Sequence, residues 1–100
     1  MVTIHESELK LAEDLIPYIL DGSKKVTIRK GRRFFDNNIT IAGYPAVVDS
    51  VEYYPLGYCP ISILREDGFE SAQDAVEQMK RFYPDITEDT VVSVVKFHLV

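Results

Sequence analysis

The chain has 100 residues, 46% of them hydrophobic and 11% aromatic, and a formal net charge of −5. That length suits one domain, residues 1–100, and excludes a second core, while the acidic balance argues against a protein that coats nucleic acid by neutralising phosphates. No run approaches the roughly 20 apolar residues of a membrane span, Met1–Glu6 lacks a basic-then-apolar secretory pattern, and the single cysteine, Cys59, excludes an intrachain disulfide and a cysteine-rich metal site. A cytoplasmic location is therefore expected.

From Glu8 to Leu20, Leu9, Leu11, Ala12, Leu15, Ile16, Ile19 and Leu20 recur at steps of three and four, which predicts an amphipathic helix stopped by Gly22. Pro17 removes a backbone donor inside it, so the helix either kinks or starts near Ile16. Lys25–Arg29 alternates and is rich in β-branched residues, predicting a strand with Val26 and Ile28 on one face and Thr27 and Arg29 on the other. Lys30–Asn38 reads as a loop, Ile39–Ala42 as a second strand and Ala46–Tyr54 as a third, with Gly43 and Pro45 at the bend between them. Pro55 and Pro60 bracket an irregular connection, and Ile61–Arg65 reads as a short helix. Ser71 is placed to cap a longer helix with Ala72, Ala75, Val76, Met79 and Phe82 as its apolar stripe, ended by Pro84. Thr90–Val100 is a strand apolar on both sides in its first half, a pattern that belongs to a central strand or a small barrel. The order helix, three strands, two helices, strand predicts an α+β fold, a small β-barrel with flanking helices.

Charge is unevenly distributed along this fold. Lys24, Lys25, Arg29, Lys30, Arg32 and Arg33 make six of the eleven basic residues fall in one ten-residue window without an acid, a candidate anion-attracting patch. Acids gather at Glu66, Asp67, Glu70, Asp74 and Glu77. His5 and His98 are isolated from any Cys or His at ligand spacing, so no metal and no cofactor is expected. No glycine-rich phosphate loop is present, nor an order of Ser, His and Asp that would call for a serine hydrolase. Tyr53, Tyr54, Tyr58 and Tyr83 are candidates to stack on a base.

Gly22-Ser23-Lys24-Lys25-Val26-Thr27-Ile28-Arg29, directly after a helix, resembles the signature of the ASCH family in the PUA-like group: Gly, any, Lys, two residues, Glu or Thr, any, Arg. Asp67-Gly68-Phe69, the helix closing in Tyr83-Pro84 and the apolar final strand are similar to the family in kind and order, so the resemblance spans about Ile16 to Val100. Thr27 at the variable position narrows it toward small members resembling N(4)-acetylcytidine amidohydrolase. The resemblance implies a Lys, a Thr and an acidic residue as the reacting groups: Lys24 and Thr27 match, and either Asp67 or Glu66 stands near the place of the family's Glu. The family's Gly-Asp turn before the second strand is replaced here by Asn37-Asn38.

The implied chemistry is consistent with these residue types. A neutral amine serves as a base when desolvation and nearby cations favour that form, and Lys25 and Arg29 flank Lys24. Lys24 would activate Thr27 for attack on an acyl carbon, Asp67 or Glu66 would protonate the leaving nitrogen, and Arg29 would hold a substrate oxygen. Residues three apart on a strand point to opposite faces, so Lys24 must lie in the turn before the strand, where Gly22 gives the backbone room to swing it toward Thr27. Gly22, Lys25, Arg29 and Tyr83 are the candidate substrate contacts. The expected ligand is a small nucleoside, with a non-catalytic RNA- or modified-base-binding module as the alternative; nothing in the pattern fixes an oligomeric state.

Overall fold

The computed structural model describes residues 5–100; the reading of Met1–Ile4 as carrying no secretory pattern lies outside them. Five strands form one sheet: β1 (Glu6–Leu9), β2 (Val26–Lys30), β3 (Phe35–Ile41), β4 (Tyr44–Pro55) and β5 (Val91–Leu99). Their spatial order is β1-β3-β4-β5-β2, with β1 parallel to β3 and every other pair antiparallel. The sheet curls into a half-barrel whose outermost strands are β1 and β2. A register shift in β4 between Val48 and Ser50 adds to the curl, because a bulged residue increases local twist. The expected barrel is thus a half-barrel, and its open side becomes important below.

Three short helices cover the sheet: α1 (Ile16–Leu20), α2 (Ile61–Glu66) and α3 (Ala72–Met79). One core lies between the sheet and α2 and α3, built from Val26, Ile28, Val92 and Val94 of the strands with Leu64, Ala75, Met79 and Ile86. The second lies on the other face, where Ile19 of α1 meets Leu9, Ile39, Ile41, Val95 and Phe97. β5 serves both cores because side chains alternate along a strand and it sits between β4 and β2, which accounts for its apolar composition on both sides. Ser93, with no exposed surface, is the one buried polar residue of β5. Its hydroxyl donates to the Gly31 carbonyl at 2.5 Å and accepts from the Arg33 N–H at 2.9 Å, so burial leaves nothing unsatisfied.

Several boundaries differ from the sequence pattern. Glu6–Leu9 is a strand, not the beginning of a helix: Leu9 is buried in the second core through pairing with Ile41. A single 3-10 turn at Glu13–Leu15 follows, and α1 begins at Ile16 with Pro17 in its first turn, where a missing N–H costs no helical bond. β3 starts at Phe35, so the expected Lys30–Asn38 loop shrinks to Gly31–Phe34. Ala42 and Gly43 have φ of 52° and 86°, the left-handed pair that a two-residue type I′ hairpin needs. Ser71 caps α3 by accepting from the Asp74 N–H at 3.1 Å, but the helix ends at Met79 and Phe82 lies beyond it, 72% exposed instead of packed in its stripe. Among the described residues no helix is long and apolar enough to cross a membrane.

Candidate functional site

The site starts at the turn between α1 and β2. Gly22, at φ 83°, carries the chain out of α1, and the Lys24 N–H closes onto the Tyr18 carbonyl at 2.8 Å. Lys24 therefore precedes β2, as the spacing required, but its side chain turns toward Asp67 and forms no hydrogen bond with Thr27, whose hydroxyl meets Arg29 instead. Lys24 Nζ donates to the Val26 carbonyl at 2.9 Å and to Oδ1 of Asp67, 43 residues along the chain. Asp67 is held there as the residue closing α2, its N–H bonded to the Ile63 carbonyl and Gly68 beyond it at φ 90°.

This ion pair is deeply placed: the Lys24 and Asp67 side chains are 10% and 8% exposed. Burial pushes the Asp67 carboxyl above the usual carboxylate range, because desolvation of the anion outweighs the opposing pull of Lys24, the Ile28 N–H and Arg29. Thr27 is 5% exposed. Its Oγ1 accepts from Nε of Arg29 at 3.2 Å, while Nη2 of Arg29 donates to the Lys10 carbonyl at 2.7 Å. Arg29 stands on the outermost strand β2 and Lys10 directly follows the opposite outer strand β1, so this guanidinium spans the open side of the half-barrel.

A cleft of about 740 Å³ opens over these groups, lined by Lys24, Thr27, Arg29 and Asp67 together with Tyr83. Its size is that of a small-molecule site. Of the residues singled out from sequence, these five share the cleft. Three do not: Lys25 is exposed and points no cation at Lys24's pair, Glu66 is exposed at the end of α2, and Gly22 contributes only the turn. Arg29 is left as the second cation acting on Asp67. The pairing of the remaining basic window also departs from a single anion patch, since Lys30 binds Asp85 and Arg33 binds Glu6. Arg32 lies 5.3 Å over the Tyr53 ring, whose hydroxyl donates to the Arg33 carbonyl. Tyr54 donates to Glu52 at 2.5 Å, and Tyr58 is exposed away from the cleft lining.

The rest of the lining was not read as functional. Lys10, Leu11, Asp14 and Leu15 lie in the stretch whose periodicity predicts a helix, and Arg81 and Phe82 in the turn that follows α3. The one available signal was Phe82, a large aromatic that follows the last core position of α3 directly before Tyr83-Pro84. Among the described residues no three His, Cys, Asp or Glu side chains gather to hold a metal ion.

No family model matches this chain, and no curated protein sequence matches it. Its backbone is similar to that of hypothetical protein PH0355, with TM-score 0.67 and 19% identity over 93% of this chain and 97% of that one. It is similar to protein EF3133 of Enterococcus faecalis V583, described as DUF984, with TM-score 0.67 and 12% identity over 100% and 83% of the two chains. The solution structure of protein PF0455 from Pyrococcus furiosus matches at TM-score 0.57 and 18% identity over 95% and 97%. At these identities the likeness establishes the fold: a small α+β domain with a curled five-stranded sheet.

Proposed function

We propose that the chain is an ASCH-type domain of the PUA-like group and that its cleft is a metal-free amidohydrolase site for N(4)-acylated cytidine-type nucleosides. The observation that supports this reading is the meeting of Lys24, Thr27 and Asp67 in one cleft, with Lys24 bonded directly to Asp67. A base, a hydroxyl and an acid are the three groups that acyl transfer from nitrogen requires. Asp67 lines the cleft and Glu66 does not, which supports the shorter Asp67 as the acid.

The reaction requires the proton shared by the pair to be on Asp67, so that Lys24 can accept one, and burial favours the uncharged form of the Asp67 carboxyl. Thr27 Oγ1 attacks the acyl carbon while its proton passes through one water to Lys24 Nζ. The carbon–nitrogen bond then breaks as Asp67 protonates the leaving N4, releasing the amino base and leaving the acyl group esterified to Thr27. Water attacks this ester, giving its proton to the Asp67 carboxylate, and Lys24 returns a proton to Thr27. The carboxylic acid departs and the starting protonation pattern is restored. Arg29, through its bond to Oγ1, steadies negative charge at the attacking oxygen and fixes its direction.

The non-catalytic alternative draws on a different observation. A Lys24 amine already engaged by Asp67 and the Val26 carbonyl makes a rigid polar floor, suited to reading the edge of a base without reacting. Purified protein incubated with N(4)-acetylcytidine and followed by absorbance separates the two. Turnover is expected in the wild type, reduced at least ~100-fold in Thr27→Ala and partly retained in Thr27→Ser. A folded wild-type protein that binds the nucleoside but does not turn it over would sink the hydrolase reading in favour of the binding module.

A further inference from the structure

The chemistry above engages Lys24, Thr27, Arg29 and Asp67, and leaves Arg81, Phe82 and Lys10 in the same cleft without a task. Phe82 is 72% exposed, yet its backbone is fixed by an N–H bond to the Met79 carbonyl at 3.0 Å. Among the described residues no other aromatic ring stacks on it. Arg81 and Lys10 are also exposed, and neither is in an ion pair among the described residues. The cleft therefore holds four cations, Lys10, Lys24, Arg29 and Arg81, against two carboxylates, Asp14 and Asp67, and Lys24 already cancels Asp67. This positive excess sits on a chain whose net charge is −5. A concave surface lined by one sign concentrates ligands of the other.

We infer that the cleft takes a phosphorylated pyrimidine nucleotide, with its base stacked on Phe82 and its phosphate held by Arg81 and Lys10, in preference to the uncharged nucleoside. The inference deepens the proposed reading of the site and rests only on its base-binding part. Each component follows from the side chain's own chemistry. A ring face stacks on a base without needing hydrogen bonds, and a guanidinium offers phosphate a two-pronged fork that an ammonium supplements as a point charge.

Calorimetric titration at low ionic strength with cytidine, cytidine 5′-monophosphate and the trinucleotide CpCpC tests it, using wild type, Arg81→Ala and Phe82→Ala. The monophosphate is expected to bind at least ~10-fold tighter than cytidine, an advantage that shrinks as salt approaches about 0.2 M. Arg81→Ala should remove that advantage and leave cytidine binding intact, whereas Phe82→Ala should weaken both ligands by a similar factor. Tighter binding of CpCpC than of the monophosphate would assign the phosphate to a strand; the reverse would assign it to a free nucleotide. Equal affinity for cytidine and its monophosphate, or an advantage that survives Arg81→Ala, overturns the inference. The hydrolase reading is judged separately: absence of N(4)-acetylcytidine turnover beside an intact, Arg81-dependent phosphate preference would discard the hydrolase and keep the nucleotide site.

Discussion

The two sides of the cleft are built on opposite plans. On the β2 side every polar group is engaged: Lys24 by Asp67 and the Val26 carbonyl, Thr27 by Arg29, Arg29 by the Lys10 carbonyl. On the other side Arg81 and Phe82 project from a turn whose backbone is bonded but whose side chains are exposed. Groups that must meet a reacting atom at fixed geometry have to be positioned before the ligand arrives. Groups that only hold a ligand gain from being unoccupied until it comes, since any internal partner would have to be displaced. The contrast predicts that substitutions on the first side damage folding and chemistry together, and that those on the second damage binding alone.

Lys24→Met should have the largest effect. It preserves the apolar stem but leaves the Asp67 carboxylate buried without its cation, a change that costs roughly 3 to 5 kcal/mol when measured by urea denaturation at neutral pH. Adding Asp67→Leu should restore much of that loss, because two apolar groups no longer leave a buried charge unmatched. A double variant no more stable than Lys24→Met would show that the pair matters for its geometry and packing and not for its charge balance.

The pH dependence sharpens the same point. Asp67 is raised above 3.8 in the folded protein, so between 3.8 and its folded value the native state binds more protons than the unfolded chain. Its contribution to stability is present in full below 3.8 and is lost as the pH rises through the folded value, the opposite of a carboxylate held low by a surface ion pair. Asp67→Asn, which cannot titrate, should therefore lose more stability than the wild type on acidification through that window. Denaturation midpoints from neutral pH down to about 3.8 check this, and parallel curves for the two proteins would contradict it.

How much of this was readable beforehand follows from where local pattern and long-range pairing agree. The turn and strand that carry Lys24 and Thr27 were legible because a helix stop, a glycine and a β-branched run mark them, while the two residues themselves stood out only through the resemblance to the ASCH signature. β5 was legible because both its faces are apolar. β1 was hidden: Leu9, Leu11 and Leu15 mimic a helical stripe, and only pairing with β3 makes Glu6–Leu9 extended. The beginning of β3 was hidden for a related reason, since Asp36, Asn37 and Asn38 disfavour strands locally, and the stretch is extended because Phe35 pairs with Glu6 of β1 at one end and Asn38 with Val47 of β4 at the other. Losing β1 also hid the half-barrel's open side, and with it the Lys10–Leu15 lining and the Arg29 span. No spacing rule brings Asp67 against Lys24; that contact depends on how α2 packs over the sheet.

The smallest expected effect lies in two adjacent residues, and it tests the contrast most finely. Phe82 and Tyr83 both donate their N–H groups to the Met79 carbonyl and both line the cleft. Tyr83 also packs against the core between the sheet and α2 and α3, whereas Phe82 stands out in solvent. Truncating Tyr83 to alanine re-exposes part of that core and should cost about 1.5 to 3 kcal/mol. Phe82→Ala removes a larger exposed ring surface but almost no internal contact, and should change stability by less than about 0.5 kcal/mol. Urea denaturation of the two variants side by side decides the matter. A loss for Phe82→Ala comparable to that for Tyr83→Ala would mean that the ring braces the fold, and the side of the cleft described as open would have to be counted as part of the structure.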